Sequence, residues 1–170
     1  QALLEYSRRE LLSLSVRSGF SAADKCELFK QTSDINALIM LYRMTALGIG
    51  SPEDRAACFG KTMTLLSEKQ KRALSSCADT KEFLTALSGT RYSNLCAGTG
   101  ERSFEHVLKT ALYGIMRKRL HFATDPTEAL FAYMFLSENE IKNVVRICEG
   151  VRYGLPAQRI EEFLILGSER

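Results

Sequence analysis

The segment ENEIKNVVRICEGVRYGLPAQRIEEFLI, residues 138–165, admits few folds. It passes from polar residues into an apolar helical pattern, meets a Gly-Leu-Pro stop, and resumes as a second helix. Gly154 tolerates the left-handed conformation that ends a helix, and Pro156 cannot continue one. Before the stop, Ile141, Val144, Val145 and Cys148 form a helical stripe. A weaker copy, DINALIMLYRMTALGIGSPEDRAACF, runs from Asp34 to Phe59. It aligns Asp34 with Glu140, Ile35 with Ile141, Leu38 with Val144, Leu41 with Ile147, and Gly48 with Gly154. Apolar positions match between any two amphipathic helices, so the pairing alone is weak evidence of a repeat.

Helical signals fill the rest of the chain. Phe104, Val107, Leu108, Ala111, Leu112, Ile115 and Met116 fall at i, i+3, i+4, i+7, i+8, i+11 and i+12, one apolar stripe. Arg117, Lys118 and Arg119 close it, where cations favour the negative end of the helix dipole. In DPTE, Asp125 is placed at the N-cap, Pro126 at the first helical position and Glu128 at N3. The helix that starts there runs to about Tyr153, or is bent or broken by a second capping box at Ser137 and Glu140. Ser21 with Asp24, Ser51 with Pro52 and Asp54, Ser67 with Gln70, and Asp79 with Glu82 mark further starts. The pattern predicts helices near 2–17, 22–30, 34–47, 52–59, 68–76, 80–88, 103–120, 126–153 and 157–166, with no sustained strand alternation. Gly98 and Gly100 mark the expected boundary between a helical unit over 1–98 and a C-terminal one over 99–170.

Chemical motifs are sparse. With 170 residues, 45% hydrophobic and 25% charged, the composition is that of a globular protein, and its net charge of +3 does not announce a nucleic-acid partner. The apolar runs fall short of the ~20 residues of a membrane span, and no secretory leader is written. Gln1 rather than Met opens the chain, as expected of a processed product or a piece of something longer. The five cysteines are widely spaced and lack any Cys-x-x-Cys pair, which reads as reduced, buried thiols in a cytosolic protein. His106 and His121 join no ligand cluster or triad, so neither metal nor cofactor is expected. Gly60-Lys61-Thr62 resembles the tail of a phosphate loop, but Arg55 stands where that loop needs its first glycine. Glu161 and Glu162 are adjacent on a helix and diverge. The helix after Asp79 carries Phe83, Leu84, Leu87 and Glu82, a core-facing set unsuited to reading bases.

The order of segments resembles one family. GKTMTLLSEKQKRALSSCADTKEFLTALSGTRYSNL carries a Gly, Leu-Ser, Leu-rich and Thr-x-Tyr signature. FEHVLKTALYGIMRKR and then ALFAYMFLSENEIKNVVRICEGVRYGLPAQRIEEFLI match a Tyr-bearing helix, a Glu-Ile-x-Asn motif and a Gly-Leu-Pro turn. These are similar to the central-stalk connector of V-type and archaeal-type rotary ATPases, a family with prokaryotic and eukaryotic members. SDINALIMLYR resembles that family's internal Asp-x-x-Asn helix, with Asn36 one place early. The likeness covers nearly all of this chain and the middle and C-terminal portions of a typical member.

The resemblance implies an all-α, multihelical fold: two related units of a pseudo-threefold, funnel-like architecture. It implies a non-catalytic piece at the cytoplasmic face of the membrane, with the central shaft subunits and the membrane rotor ring as partners. Asp34, Tyr92, Glu140, Asn143, Gly154 and Pro156 would then be structural. Glu140 and Asn143 would bond between packed helices, Tyr92 would anchor a turn, and Gly154 with Pro156 would set the turn geometry. Arg117, Lys118 and Arg119 form the candidate interface, against the plainer reading of a solvated helix end. The rivals are a helical adaptor unrelated to ATPases and an enzyme whose site no local motif reveals.

Overall fold

Ser51 and Ser67 show how the sequence starts its helices. Each side chain accepts from the backbone N–H three residues on, while Asp54 or Gln70 reaches back to the serine N–H, closing a reciprocal capping box. The computed structural model describes residues 22–59, 64–96 and 103–167, and among these all regular structure is helical. Its elements are α1 (Ala22–Ala46), α2 (Pro52–Ala56), α3 (Glu68–Ser75), α4 (Thr80–Ser88), a 3₁₀ turn (Ser93–Cys96), α5 (Phe104–Phe122), α6 (Pro126–Arg152) and α7 (Ala157–Phe163). The expected helix over 2–17, the Ser21 cap, the Gly60-Lys61-Thr62 motif and the Gly98–Gly100 boundary lie outside the described residues. The chain forms two compact units, one over 23–108 and one that includes 109–167.

In the unit 23–108, α1 is a single helix where two were expected. Inside it, Thr32 Oγ1 donates to the Leu28 carbonyl at 2.8 Å, which satisfies the buried hydroxyl. Asp34 cannot start a new helix there, because its carboxylate is engaged elsewhere in the fold. Leu28, Ile35, Leu38 and Leu41 of α1 are buried with Leu74, Phe83, Leu87 and Leu108. A three-ring cluster fastens this core: Tyr42 lies 4.4 Å from Phe104 and 5.7 Å from Phe83, and Phe83 meets Phe104 edge-on at 5.8 Å.

In the unit that includes 109–167, Leu112, Met116, Phe131, Ala132, Leu136, Ile160 and Ile165 are buried. Here α6 runs unbroken through Ser137, which settles the alternative of a second capping box against a break. Asp125 Oδ1 accepts from Thr127 N at 3.0 Å, while Glu128 turns to Arg119 of α5 at 3.0 Å. α7 crosses α6 closely at Gly150, where an added Cβ would meet Ile160 Cγ1 at 2.6 Å.

The two sequence copies share a turn and differ in burial. At Gly48 (φ 63°) and Gly154 (φ 67°) the chain leaves its helix in the left-handed conformation. Ile49 N donates to Met44 O, and Leu155 N donates to Gly150 O, both at 2.9 Å, the long bond of a Schellman motif. Ile35, Leu38 and Leu41 are buried, whereas their counterparts Ile141, Val144 and Ile147 are exposed. Turn chemistry is local and survives; burial depends on what packs alongside.

Glycine substitutions separate these effects. Gly154→Ala should lose about 1–2 kcal/mol because alanine resists the left-handed region. Gly150→Ala should lose about 1–3 kcal/mol through its collision with Ile160. Gly114, inside α5 with open space beside it, should gain about 0.5–1 kcal/mol as alanine. Urea unfolding of the three variants checks the signs.

Candidate functional site

Two buried polar clusters hold Asp34, Tyr92 and Asn143, one basic helix end holds Arg117, Lys118 and Arg119, and Glu140, Gly154 and Pro156 lie outside them. Asp34 is 1% exposed, and its Oδ2 accepts from the Tyr92 hydroxyl at 2.7 Å and from Leu65 N at 2.8 Å. The tyrosine sits in a turn that Thr90 pins, since Thr90 Oγ1 donates to Leu87 O at 2.7 Å and accepts from Tyr92 N. Burial, and then the bond to the Asp34 carboxylate, push the Tyr92 phenol far above its ordinary range. Asp34 Oδ1 is also buried and has no hydrogen-bond partner among the described residues. One carboxylate thus ties the middle of α1 to a loop and to the turn after α4.

The second cluster joins α6 to the segment after α7. Asn143 works in both directions: its Nδ2 donates to Ile165 O at 2.9 Å, and its Oδ1 accepts from Ile165 N at 3.1 Å. Asn139 Nδ2 donates to the same carbonyl at 2.9 Å, and Arg146 Nη1 donates to Asn143 Oδ1 at 2.8 Å. Both asparagines are buried. The N–H and C=O of Ile165, outside any helix, are therefore satisfied in the interior by side chains.

Glu140 departs from its expected place between packed helices and is exposed. Successive helix residues turn by about 100°, so Asn139 and Asn143 share the inner face and Glu140 leaves it. Gly154 forms the left-handed stop, and Pro156 stands at the N-cap of α7, its carbonyl accepting from Arg159 N and Ile160 N. The basic trio divides: Arg117 and Lys118 are exposed, and Arg119 is ion-paired with the buried Glu128. Sequence reasoning missed Asn139 and Arg55. Arg55 is buried, with Nη1 donating to Cys77 O at 2.8 Å and Nε to Ile49 O at 3.1 Å. Asn139, four residues before Asn143, was the one available signal.

These arrangements hold backbone in place and bring no nucleophile to a general base. Among the described residues no three His, Cys, Asp or Glu side chains converge as metal ligands, and no helix is long and apolar enough to cross a membrane. Burial raises the thiols of Cys58 and Cys77, which keeps them protonated. Cys148 corrects the expectation of buried thiols: it is free and exposed.

Among the described residues the fold is all-helical, and the buried polar groups singled out in the sequence bond to backbone or lie at turns. Residues 2–163 match the ATP synthase (C/AC39) subunit family, and the chain belongs to that family of V/A-type rotary ATPase subunits. The family is non-catalytic within its complex. No curated protein and no solved structure matches the chain.

Tyr92→Phe should cost about 1.5–3 kcal/mol by removing a donor from a buried carboxylate. The tyrosine proton also sets a pH dependence. A folded-state value above the ordinary 10.0 gives stability that is complete below pH 10 and is lost as pH rises beyond it. Wild type should therefore weaken above pH 10 more than Tyr92→Phe in parallel denaturation series. In the other cluster, Asn143→Ala should cost about 1–3 kcal/mol and more than Asn139→Ala, because only Asn143 serves the Ile165 N–H.

Proposed function

We propose that the chain is the connector of its rotary ATPase, seating the central shaft on the membrane rotor ring at the cytoplasmic face and transmitting torque without chemistry of its own. The family match over residues 2–163 carries this reading. The two polar clusters support it, since both use buried polar groups to fix helices and turns. On the same reading the chain is built from two related helical units that meet near Gly98–Gly100.

Arg117 and Lys118 are the proposed contact with an acidic partner surface or anionic headgroups. Arg119 serves chiefly to hold Glu128. Reconstitution tests the role: omitting the chain from its own ATPase should leave ATP hydrolysis by the head but uncouple it from ion transport. Coupling that persists without the chain would rule out the connector role. Arg117→Glu with Lys118→Glu should weaken binding to the isolated rotor ring, most at low salt, because exposed charges are screened beyond ~8–10 Å at physiological ionic strength. Unchanged binding by the folded variant would assign the pair to the helix end alone.

A further inference from the structure

Residues 156–167 are attached to the rest of their unit at few points. Within this stretch only Ile160 and Ile165 are buried, and both are pinned to α6. Ile160 rests on the bare backbone of Gly150, and Ile165 is held through its N–H and C=O by Asn143 and Asn139. Between the pins, Glu161, Glu162 and Phe163 are exposed. α7 has seven residues and no side-chain bond at its N-cap. An isolated helix shorter than ~12–15 residues is marginal in water, so α7 keeps its shape only while both pins hold. The floor beneath Ile165 is polar. Asn139, Asn143 and the half-buried Arg146 can exchange their bonds for bonds to water, which is a small net loss. Upstream, the joint has room to turn: Gly154 is left-handed (φ 67°), and a Cβ added there would meet nothing within 4 Å.

We propose that residues 156–167 form a strap that lifts from α6 as one unit, turning about Gly154, while α5 and α6 stay folded. The two pins depend on each other. Once Ile165 is released, α7 loses its second anchor and unwinds, and Ile160 then has no rigid backbone to press it onto Gly150. Loss of the Ile160 contact frees the other end of the same short helix and weakens the hold on Ile165 in turn. The far end of the strap reaches α5: a Cβ added at Gly167 would stand 2.9 Å from Arg117 Nη1 and 3.1 Å from Tyr113 Cε1. Opening therefore uncovers Asn139, Asn143 and one side of Arg117 together. The unit then has two surfaces, one closed by the strap and one that offers a row of amides able to bond to extended backbone. Regions that open below the global unfolding free energy are those with few buried apolar contacts, and this stretch has two. The device rests on the geometry of this unit alone and not on the connector role.

Native-state hydrogen exchange of the full chain, read amide by amide by NMR at low urea concentrations, is the experiment. Three strap amides report on opening, because each has an acceptor: Ile160 N donates to Pro156 O, Leu164 N to Glu161 O and Ile165 N to Asn143 Oδ1. Their protection factors should agree with one another and lie roughly tenfold or more below those in the middle of α6, with one shared and weaker urea dependence. Asn143→Ala, which removes bonds to Ile165 alone in the strap, should lower protection at Ile160 as much as at Ile165. Gly150→Ala, which collides with Ile160, should lower protection at Ile165 equally. Equal protection in the strap and in α6 would overturn the proposal, since the segment would then open only with the whole unit. Effects confined to Ile165 in Asn143→Ala and to Ile160 in Gly150→Ala would overturn it too, as two contacts that fray independently. If Asn143→Ala does not fold, Asn139→Ala removes one bond to Ile165 O, leaves its N–H paired, and puts the same question at smaller amplitude.

Discussion

A buried carboxylate must find donors, and much of the unit 23–108 is arranged around the one at Asp34. Its bond to Leu65 N draws a loop against α1, and its bond to Tyr92 fixes the turn beyond α4. Because the side chain is used in this way it cannot cap a helix, so α1 continues through a sequence that reads locally as a restart. A buried hydrogen bond to a charged group contributes about 1.5–3 kcal/mol, but a donor lost costs the desolvation as well. Asp34 thereby ties three segments of the chain together through one side chain.

In the unit that includes 109–167 the corresponding cluster is centred on an amide rather than a carboxylate. An asparagine amide has a donor and an acceptor, which matches the C=O and N–H of one residue. Asn143 meets Ile165 in that way, and Asn139 fills the remaining acceptor capacity of the carbonyl. The segment after α7 is thus held to α6 by backbone recognition, with the Ile165 side chain buried beside it. Substitution of that side chain by another apolar residue would leave these bonds available, so the attachment is tolerant of sequence at Ile165 and intolerant at Asn143.

What was legible in the sequence was what is decided locally. Ser51 with Asp54, Ser67 with Gln70, Asp125 with Pro126, and Gly154 before Pro156 each carry their geometry in neighbouring residues, and each forms at the expected place. All-helical architecture followed from such signals. Long-range matters were not legible. The stripe of Ile141, Val144, Val145 and Cys148 exists, yet periodicity says only that side chains align, not whether they face the interior. Arg55 gave no local sign of its two carbonyl acceptors, one of them 22 residues away. Glu140 and Asn139 differ by a single helical step, which a motif read as a string does not resolve into an inner and an outer face.

The unbroken course of α6 has a mechanical consequence. A helix of 27 residues extends ~40 Å, and its length change under load is resisted by three parallel rows of backbone hydrogen bonds. A capping box at Ser137 would have put a joint halfway along, where small rotations cost little. Without it the element has one stiffness throughout, and compliance is displaced to its ends, at Asp125 and at the Gly154 turn. A displacement along the axis at one end of α6 is passed towards the other by continuous helix, with no built-in joint between Asp125 and the Gly154 turn.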